Sequence, residues 1–245
     1  MKIKPGSSTA DTFNVQYRVG RVAKYIEGGD WLDYGCAEGG YTRALLRAGA
    51  AKASGIDVLP DRIGMARKAH PDLNFYVCTD GTLPFPNSSF DGIFVNEVLE
   101  HVADEGRTLK DLYRVLRPRG FLVVISPNRG FPFEGHRIHI GNWTSKAPTP
   151  IIPWLPKALT DRWVSARNYW PGELRRMIVS CGFLVVHTGF IMPVFRIYPW
   201  MPNVVAKGFR RHITQIDSFP CIRRFGVSTI VVARRPVAPL DNSSN

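Results

Sequence analysis

The chain has 245 residues, with 44% hydrophobic and 21% charged residues and a net charge of +12. That length and balance fit a soluble α/β domain with a sizeable core and exclude a disordered or collagen-like chain. The opening stretch MKIKPGSSTADTF has no apolar run, so neither a signal peptide nor a membrane span is expected there. Four scattered cysteines, Cys36, Cys78, Cys181 and Cys221, lack CxxC spacing; reduced thiols and a cytoplasmic location are the expectation.

Along the chain, residues 12–27 carry Phe13, Val15, Val19, Val22, Tyr25 and Ile26 at helical spacing, with Gly28-Gly29 as the stop. Residues 1–29 therefore read as an N-terminal helical segment. From 30 to 128 strand-like runs (30–34, 53–57, 74–79, 91–95, 120–126) alternate with helix-like runs (39–48, 60–69, 104–116). This order predicts a parallel sheet covered by helices on both faces. Residues 129–170 are broken by prolines and rich in Trp and Phe, and read as an ordered cap. A helix at 171–181 and strands at 183–190 and 226–235 complete the sheet within a final segment, 171–245.

Charge divides the chain unevenly. Residues 1–128 hold sixteen basic and fifteen acidic side chains, whereas residues 129–245 hold sixteen basic and five acidic. Five of six tryptophans lie in that second part. Two stretches there, TPIIPWLPKALTDRWVSARNYWP and FIMPVFRIYPWMPNVVAKGFRRH, mix bulky apolar groups with Lys157, Arg162, Arg167, Arg196, Lys207, Arg210 and Arg211. An anionic partner is implied: a membrane surface or, less favoured for lack of any RNA-binding module, nucleic acid. A lid over a small-molecule pocket and a merely solvated basic face are the plainer readings.

The stretch WLDYGCAEGGYTRALL, residues 31–46, joins an apolar run ending in an acid to a glycine-rich turn and a helix. The turn is not a P-loop, because Tyr41 stands where the lysine should be, and GxGxxG is absent. Asp33 and Glu38, without a cation nearby in sequence, would repel a phosphate and suit a ligand that joins adenosine to a positive charge. S-adenosylmethionine is such a ligand. With LDYGCAEGG, SGIDVLPDRIGMAR, CTDGTLPFPNSSFDGIFVNEVLEHV and LYRVLRPRGFLVVISPN in order, the chain resembles the class I S-adenosylmethionine-dependent methyltransferases of the type 11-like kind. Ala37 departs from the pattern, where the family often has glycine.

The resemblance implies a Rossmann-like, mostly parallel seven-stranded sheet with an antiparallel last strand, S-adenosylmethionine as cofactor, and methyl transfer as the activity. It also implies the cofactor contacts. Asp33 lies near the methionine ammonium, and the turn of Gly35, Cys36, Ala37 and Gly39 lets the backbone approach. Asp57, followed by Val58, accepts from the ribose hydroxyls, Asp80 with Gly81 faces the adenine, and Asn96 lies beside the reactive methyl.

Candidate acid–base residues fall in two loops: Glu97, Glu100 and His101 after the fourth strand, and Glu134, His136 and His139 after the fifth. His101 or His136, with Glu134, suits general-base catalysis on an acceptor hydroxyl. No metal is assigned. The alternative is a divalent metal held by Glu97, Glu100 and His101 with His136 or His139, the first and third on one helical face. Similar clusters occur in small-RNA 2′-O-methyltransferases and some quinone-biosynthesis O-methyltransferases. The expected acceptor is a small molecule, a saccharide or a lipid-linked group methylated on oxygen. The alternatives are a metal-assisted quinone-type enzyme, an RNA methyltransferase, and a cofactor-binding partner subunit without catalysis. Nothing in the sequence indicates the oligomeric state.

Overall fold

The structure, a computed structural model, describes residues 12–79, 81–145, 148–160, 162–164, 166–193, 204–205, 208, 211–213 and 219–237. Asp80 and most of the basic aromatic stretch after Met192 lie outside the described residues, as do Lys146 and residues 1–11.

One sheet organises the fold. Its parallel strands are β1 (Asp30–Tyr34), β2 (Lys52–Asp57), β3 (Asn74–Val77), β4 (Phe90–Asn96) and β5 (Leu116–Pro127). Four short strands follow in the cap: β6 (Phe133–Glu134), β7 (His139–Ile140), β8 (Trp143–Thr144) and β9 (Thr149–Pro150). β10 (Leu184–Ile191) and β11 (Ser228–Arg234) then complete the sheet in the order β10-β11-β5-β4-β1-β2-β3. β11 is antiparallel to both β5 and β10. The strands are buried on both faces, so they read as continuous apolar runs rather than alternations. Chain order reverses between β1 and β4, which opens a crevice at their carboxyl ends.

The helices begin and end for local reasons. α2 (Gly40–Arg47) starts after Gly39, whose φ of 82° is left-handed. α3 (Pro60–Ala69) opens on proline, where the missing N–H has no intrahelical partner anyway. α4 (Glu105–Val115) is capped by Asp104, which accepts from the Arg107 N–H at 2.9 Å. α5 (Lys157–Thr160) is a single turn in the cap, and α6 (Pro171–Ser180) lies beside β10 and β11.

α1 (Thr12–Gly20) is shorter than the helix expected over 12–27. After Gly20 the hydrogen bonding tightens to three-residue steps, from Val22 N–H to Val19 O and from Tyr25 N–H to Val22 O. Val22 and Ile26 stay buried regardless, so the apolar spacing survived the change of helix type.

Two cores sandwich the sheet. On one face Leu32, Ile93 and Val124 meet Leu109 and Leu112 of α4 and Leu174 and Ile178 of α6. On the other, Trp31, Phe94, Val123 and Ile230 meet Val19 of α1 and Leu45 of α2. Gly92 is required there, since a Cβ would stand 2.3 Å from the Trp31 ring. In the cap β6 pairs with β9 and β7 with β8, and the latter hairpin presents Ile140 and Trp143, 47% and 57% exposed, side by side. Among the described residues no helix is long and apolar enough to cross a membrane.

Candidate active site

The turn after β1 carries the residues singled out from the sequence. Gly35 and Cys36 donate their N–H groups to the Ile56 carbonyl at 2.8 and 3.0 Å, which fixes the turn against the end of β2. Gly35 has φ 79°, and a Cβ there would lie 2.3 Å from Val98. Cys36 turns its thiol inward beside Ile63, Ala66 and Phe75, so only its backbone faces the crevice, and burial pushes the thiol pKa up. Ala37 occupies the left-handed region at φ 47°, a cost of about 1 kcal/mol for a residue with a Cβ. Its N–H donates to Asp57 Oδ2 at 3.0 Å, a charge-assisted bond of about 1.5–3 kcal/mol that offsets the strain.

Asp57 therefore does more than end β2. Its other oxygen accepts from the Leu59 N–H at 3.0 Å, so one buried carboxylate ties the glycine turn to the start of α3. The Val58 side chain projects into solvent next to it, and Gly81, beyond the end of β3, is exposed. Asp33 is buried and accepts from Thr42 Oγ1 at 2.7 Å. Burial pushes its pKa up to about 7, with the Thr42 hydrogen bonds acting against that rise. No salt bridge of the described residues reaches Asp33 or Asp57. Two desolvated acids without a cation are a fit for a ligand that brings its own positive charge and a vicinal diol, as S-adenosylmethionine does.

The end of β4 is occupied differently from the sequence reading. Asn96 reaches the crevice, but its Oδ1 accepts from Arg18 Nη1 of α1 at 2.9 Å. The same nitrogen pairs with Glu97 Oε1 at 2.8 Å, and Nη2 reaches Ser228 Oγ at 3.3 Å. Ser228 in turn donates to Glu97 at 2.6 Å. Arg18 is buried, which disfavours its charge, yet the Glu97 carboxylate holds its pKa above the ordinary value.

The expectation that Glu97 and His101 share one helical face is corrected by the backbone. Glu97 is left-handed at φ 54°, and the helical turn that follows, Leu99–His101, is a single 3-10 turn. The i, i+4 geometry of an α-helix never forms. Glu97 faces Arg18 instead.

Beyond it stands a second cluster. Glu100 is buried, accepts from Ser126 Oγ at 3.2 Å, and has its pKa pushed up to about 9 by burial and then by the Glu97 charge. His101 and His136 meet edge to face, with ring centroids 5.4 Å apart. Glu100, His101 and His136 each offer a ligand atom, all within 4.8 Å of one another, and could hold a divalent cation. His139 does not join them; it lies in the exposed hairpin, bonded to Thr144 at 3.1 Å.

His136 is the most constrained base. Its Nδ1 lies 2.8 Å from Glu134 Oε1, which also accepts the His136 backbone N–H at 2.9 Å. Glu134 is 1% exposed, and its Oε2 accepts from Asn168 Nδ2. Burial alone would lower the His136 pKa, but the hydrogen bond and charge of Glu134 outweigh it and raise the value. His101 moves the opposite way, lowered by burial and then by His136. An Nδ1–H donated to a carboxylate leaves Nε2 as the proton acceptor. Sequence reasoning found Glu134 and His136 but not their supports. Asn168 behind Glu134, and Arg18 behind Glu97 and Asn96, lie far off in sequence and follow no motif; Thr42, which holds Asp33, lies in the stretch 31–46 and had a local signal.

A groove of about 950 Å³ runs over α2 between α1 and α3 and touches the turn at Ala37 and Glu38. None of Glu134, His136 or His101 lines it.

Comparison with known proteins bears on the family and the fold. A family described as a methyltransferase domain matches residues 32–124. A demethylmenaquinone methyltransferase of Tropheryma whipplei is 33% identical over 162 residues, covering 64% of this chain and 66% of the relative. A ubiquinone biosynthesis O-methyltransferase of Bradyrhizobium diazoefficiens is 30% identical over 174 residues, covering 67% and 62%. A probable S-adenosylmethionine-dependent methyltransferase of Mycolicibacterium smegmatis is 32% identical over 168 residues, covering 69% and 57%. The chain thus spans just under two thirds of the length of these relatives, or less. In three dimensions an S-adenosylmethionine-dependent methyltransferase from Mesorhizobium loti superposes with a TM-score of 0.60 at 19% identity, over 90% of this chain and 98% of that one.

Proposed function

Since this chain belongs to the class I S-adenosylmethionine-dependent methyltransferases, we propose that it methylates an oxygen of a small or lipid-linked acceptor, with His136 as the general base. The observation that carries the reading is the Glu134–His136 pair, 2.8 Å apart at the mouth of the cap. Bound cofactor supplies an electrophilic methyl on a sulfonium. The Asp57 carboxylate and the Gly35–Gly39 turn hold the cofactor, and Asp33 compensates its positive end. His136 Nε2 receives the acceptor's hydroxyl proton as the oxygen–carbon bond forms and the carbon–sulfur bond breaks. Glu134 stabilises the resulting imidazolium, and Asn168 holds Glu134 in place.

Two observations favour an acceptor with an apolar part. The exposed Ile140–Trp143 pair and the basic cap suit contact with an anionic membrane surface, from the cytoplasmic side where Cys36, Cys78 and Cys181 stay reduced. Relatives also bear the names of demethylmenaquinone and ubiquinone-biosynthesis methyl transfer. Nucleic acid fits less well, for the cap carries more apolar than phosphate-tracking surface.

The test uses purified protein, methyl-labelled S-adenosylmethionine and cell extract, with lipid, nucleic-acid, protein and small aqueous fractions counted separately. Label is expected in the lipid or small-molecule fraction. His136→Ala should lose about 10²–10⁴ of it while cofactor affinity by calorimetry is kept. Label confined to RNA or protein would overturn the acceptor class; full activity in His136→Ala would remove the base.

A second reading rests on the mutual 4.8 Å spacing of Glu100, His101 and His136. In that case a divalent cation orients the hydroxyl and lowers its pKa, and a chelator should abolish turnover until the metal is restored.

A further inference from the structure

The cap holds a second cavity, about 60 Å³, walled by Arg129, Lys157, Thr160, Arg167 and Asn168 with the apolar Pro153, Val164 and Ala166 beside them. Water needs only about 10–15 Å³ on this measure, so several waters or one tetrahedral anion would fill it. Arg129 is the unusual member. It is 8% exposed, yet among the described residues only its Nη2 has a protein partner, the Leu155 carbonyl at 2.6 Å. Its Nε is buried without a partner, and no carboxylate pairs with it among the described residues. The ring of Trp170 lies 5.9 Å from its guanidinium carbon and supplies the nearest compensation.

A buried, unpaired guanidinium is expensive unless something arrives to pair with it. Its planar fork matches two oxygens of one anion. The second cation, Lys157, is shared with Glu173 and stays half exposed, so it can swing its ammonium to a ligand. Arg167 contributes its length to the wall, its head being held by Glu105 and the Val102 carbonyl. The Thr160 hydroxyl, at the rim, donates to the Lys157 carbonyl at 3.3 Å. Two cations, Arg129 and Lys157, around a space of this size suit a dianion with three or more oxygens better than a carboxylate.

We propose that this cavity binds a phosphoryl group of the acceptor, a phosphate monoester or a diphosphate end. The inference deepens the O-methyltransferase reading, on which it rests for the word acceptor. Asn168 supplies the link, since it both lines the cavity and donates to Glu134, the residue that orients His136. A phosphoryl group seated on Arg129 thus lies one side chain from the base's own support, and the carbon skeleton attached to it is delivered to the histidine.

Calorimetry on the full chain tests this without turnover, using inorganic phosphate and pyrophosphate as probes and acetate as the control. The wild type should bind the phosphates and bind acetate far more weakly. Arg129→Met should weaken phosphate binding about tenfold or more, about 1.4 kcal/mol, with S-adenosylmethionine affinity unchanged as proof of fold. If Arg129→Met does not fold, Lys157→Met at the half-exposed position gives the second readout, a smaller loss in the same direction. Phosphatidylcholine vesicles doped with phosphatidic acid distinguish the source. Capture that depends on Arg129 assigns a lipid headgroup, and binding of the soluble probes alone assigns a water-soluble phosphoester. No phosphate binding by the wild type, acetate binding of equal strength, or unaltered binding in the folded variants would each overturn the proposal. Phosphate binding without any methyl transfer would count against the reaction and leave the anion site standing.

Discussion

The two walls of the crevice differ in sign. The cofactor wall, built from the ends of β1 and β2, holds Asp33 and Asp57 with no cation beside them. The cap wall holds a histidine whose pKa Glu134 raises, and a buried arginine, Arg129, that no carboxylate pairs with among the described residues. One wall holds acids with no cation beside them, and the other holds an arginine with no acid beside it among the described residues. A protein that only stabilised itself would have paired these groups with each other. Keeping them apart leaves each wall incomplete until a ligand of opposite charge arrives, and it orders the two ligands in space. A cationic methyl donor belongs on the strand side and an anionic or proton-yielding acceptor on the cap side.

Four substitutions break or sharpen that contrast. The largest effect is expected on the cap wall. Glu134→Gln keeps shape but removes the charge that raises the His136 pKa. Turnover should fall about 10–100-fold, as for lost orienting partners of other functional histidines. The acid limb of the rate profile should also move to lower pH, because the neutral, basic form of His136 persists further down. An unmoved limb would mean that another group titrates.

Next comes the seam between the walls. Arg18→Met strands Glu97 beside Ser228 and frees Asn96, and should cost about 3 kcal/mol of stability. A thermal melt should then fall by about 6–12 °C for a domain of this size. A shift under a degree or two would show that α1 is only loosely held.

Asp57→Ala acts on the cofactor wall alone. It removes the acceptor for two backbone N–H groups and leaves Ala37 strained, so S-adenosylmethionine should bind at least about tenfold more weakly, about 1.4 kcal/mol. Calorimetry with undiminished affinity would take Asp57 out of the site.

The last effect is pH-dependent. Asp33 has its pKa raised in the folded protein, so the folded state holds a proton that the unfolded state releases above about 4. Its contribution to stability is therefore present at low pH and lost as pH rises toward about 7. Asp33→Asn should become progressively more stable than the wild type over that window. A cationic ligand favours the ionised form, so wild-type cofactor affinity should rise through pH 7 and the Asn variant's should not. Parallel pH curves for the two would show that Asp33 does not sense the ligand.

What was legible in the sequence was local. The resemblance to a methyltransferase motif singled out Asp33, Gly35, Ala37, Gly39 and Asp57, and the structure gathers them around one turn. The alternation of runs foretold the parallel sheet because buried parallel strands must be apolar throughout. Glu134 and His136 were found together because they are two residues apart. The rest was decided by packing. Nothing local says that Arg18 would cross to Glu97, since that bond spans 79 residues and exists only because α1 packs over the sheet. Nor does a sequence reveal that the backbone turns left-handed at Glu97, taking it off the face of His101. Asn168 behind Glu134 and Arg129 without an acid are likewise products of how the cap closes. Local sequence determines turns and periodicity because those depend on neighbours along the chain. Which charges find partners, and which are left waiting for a ligand, depends on neighbours in space.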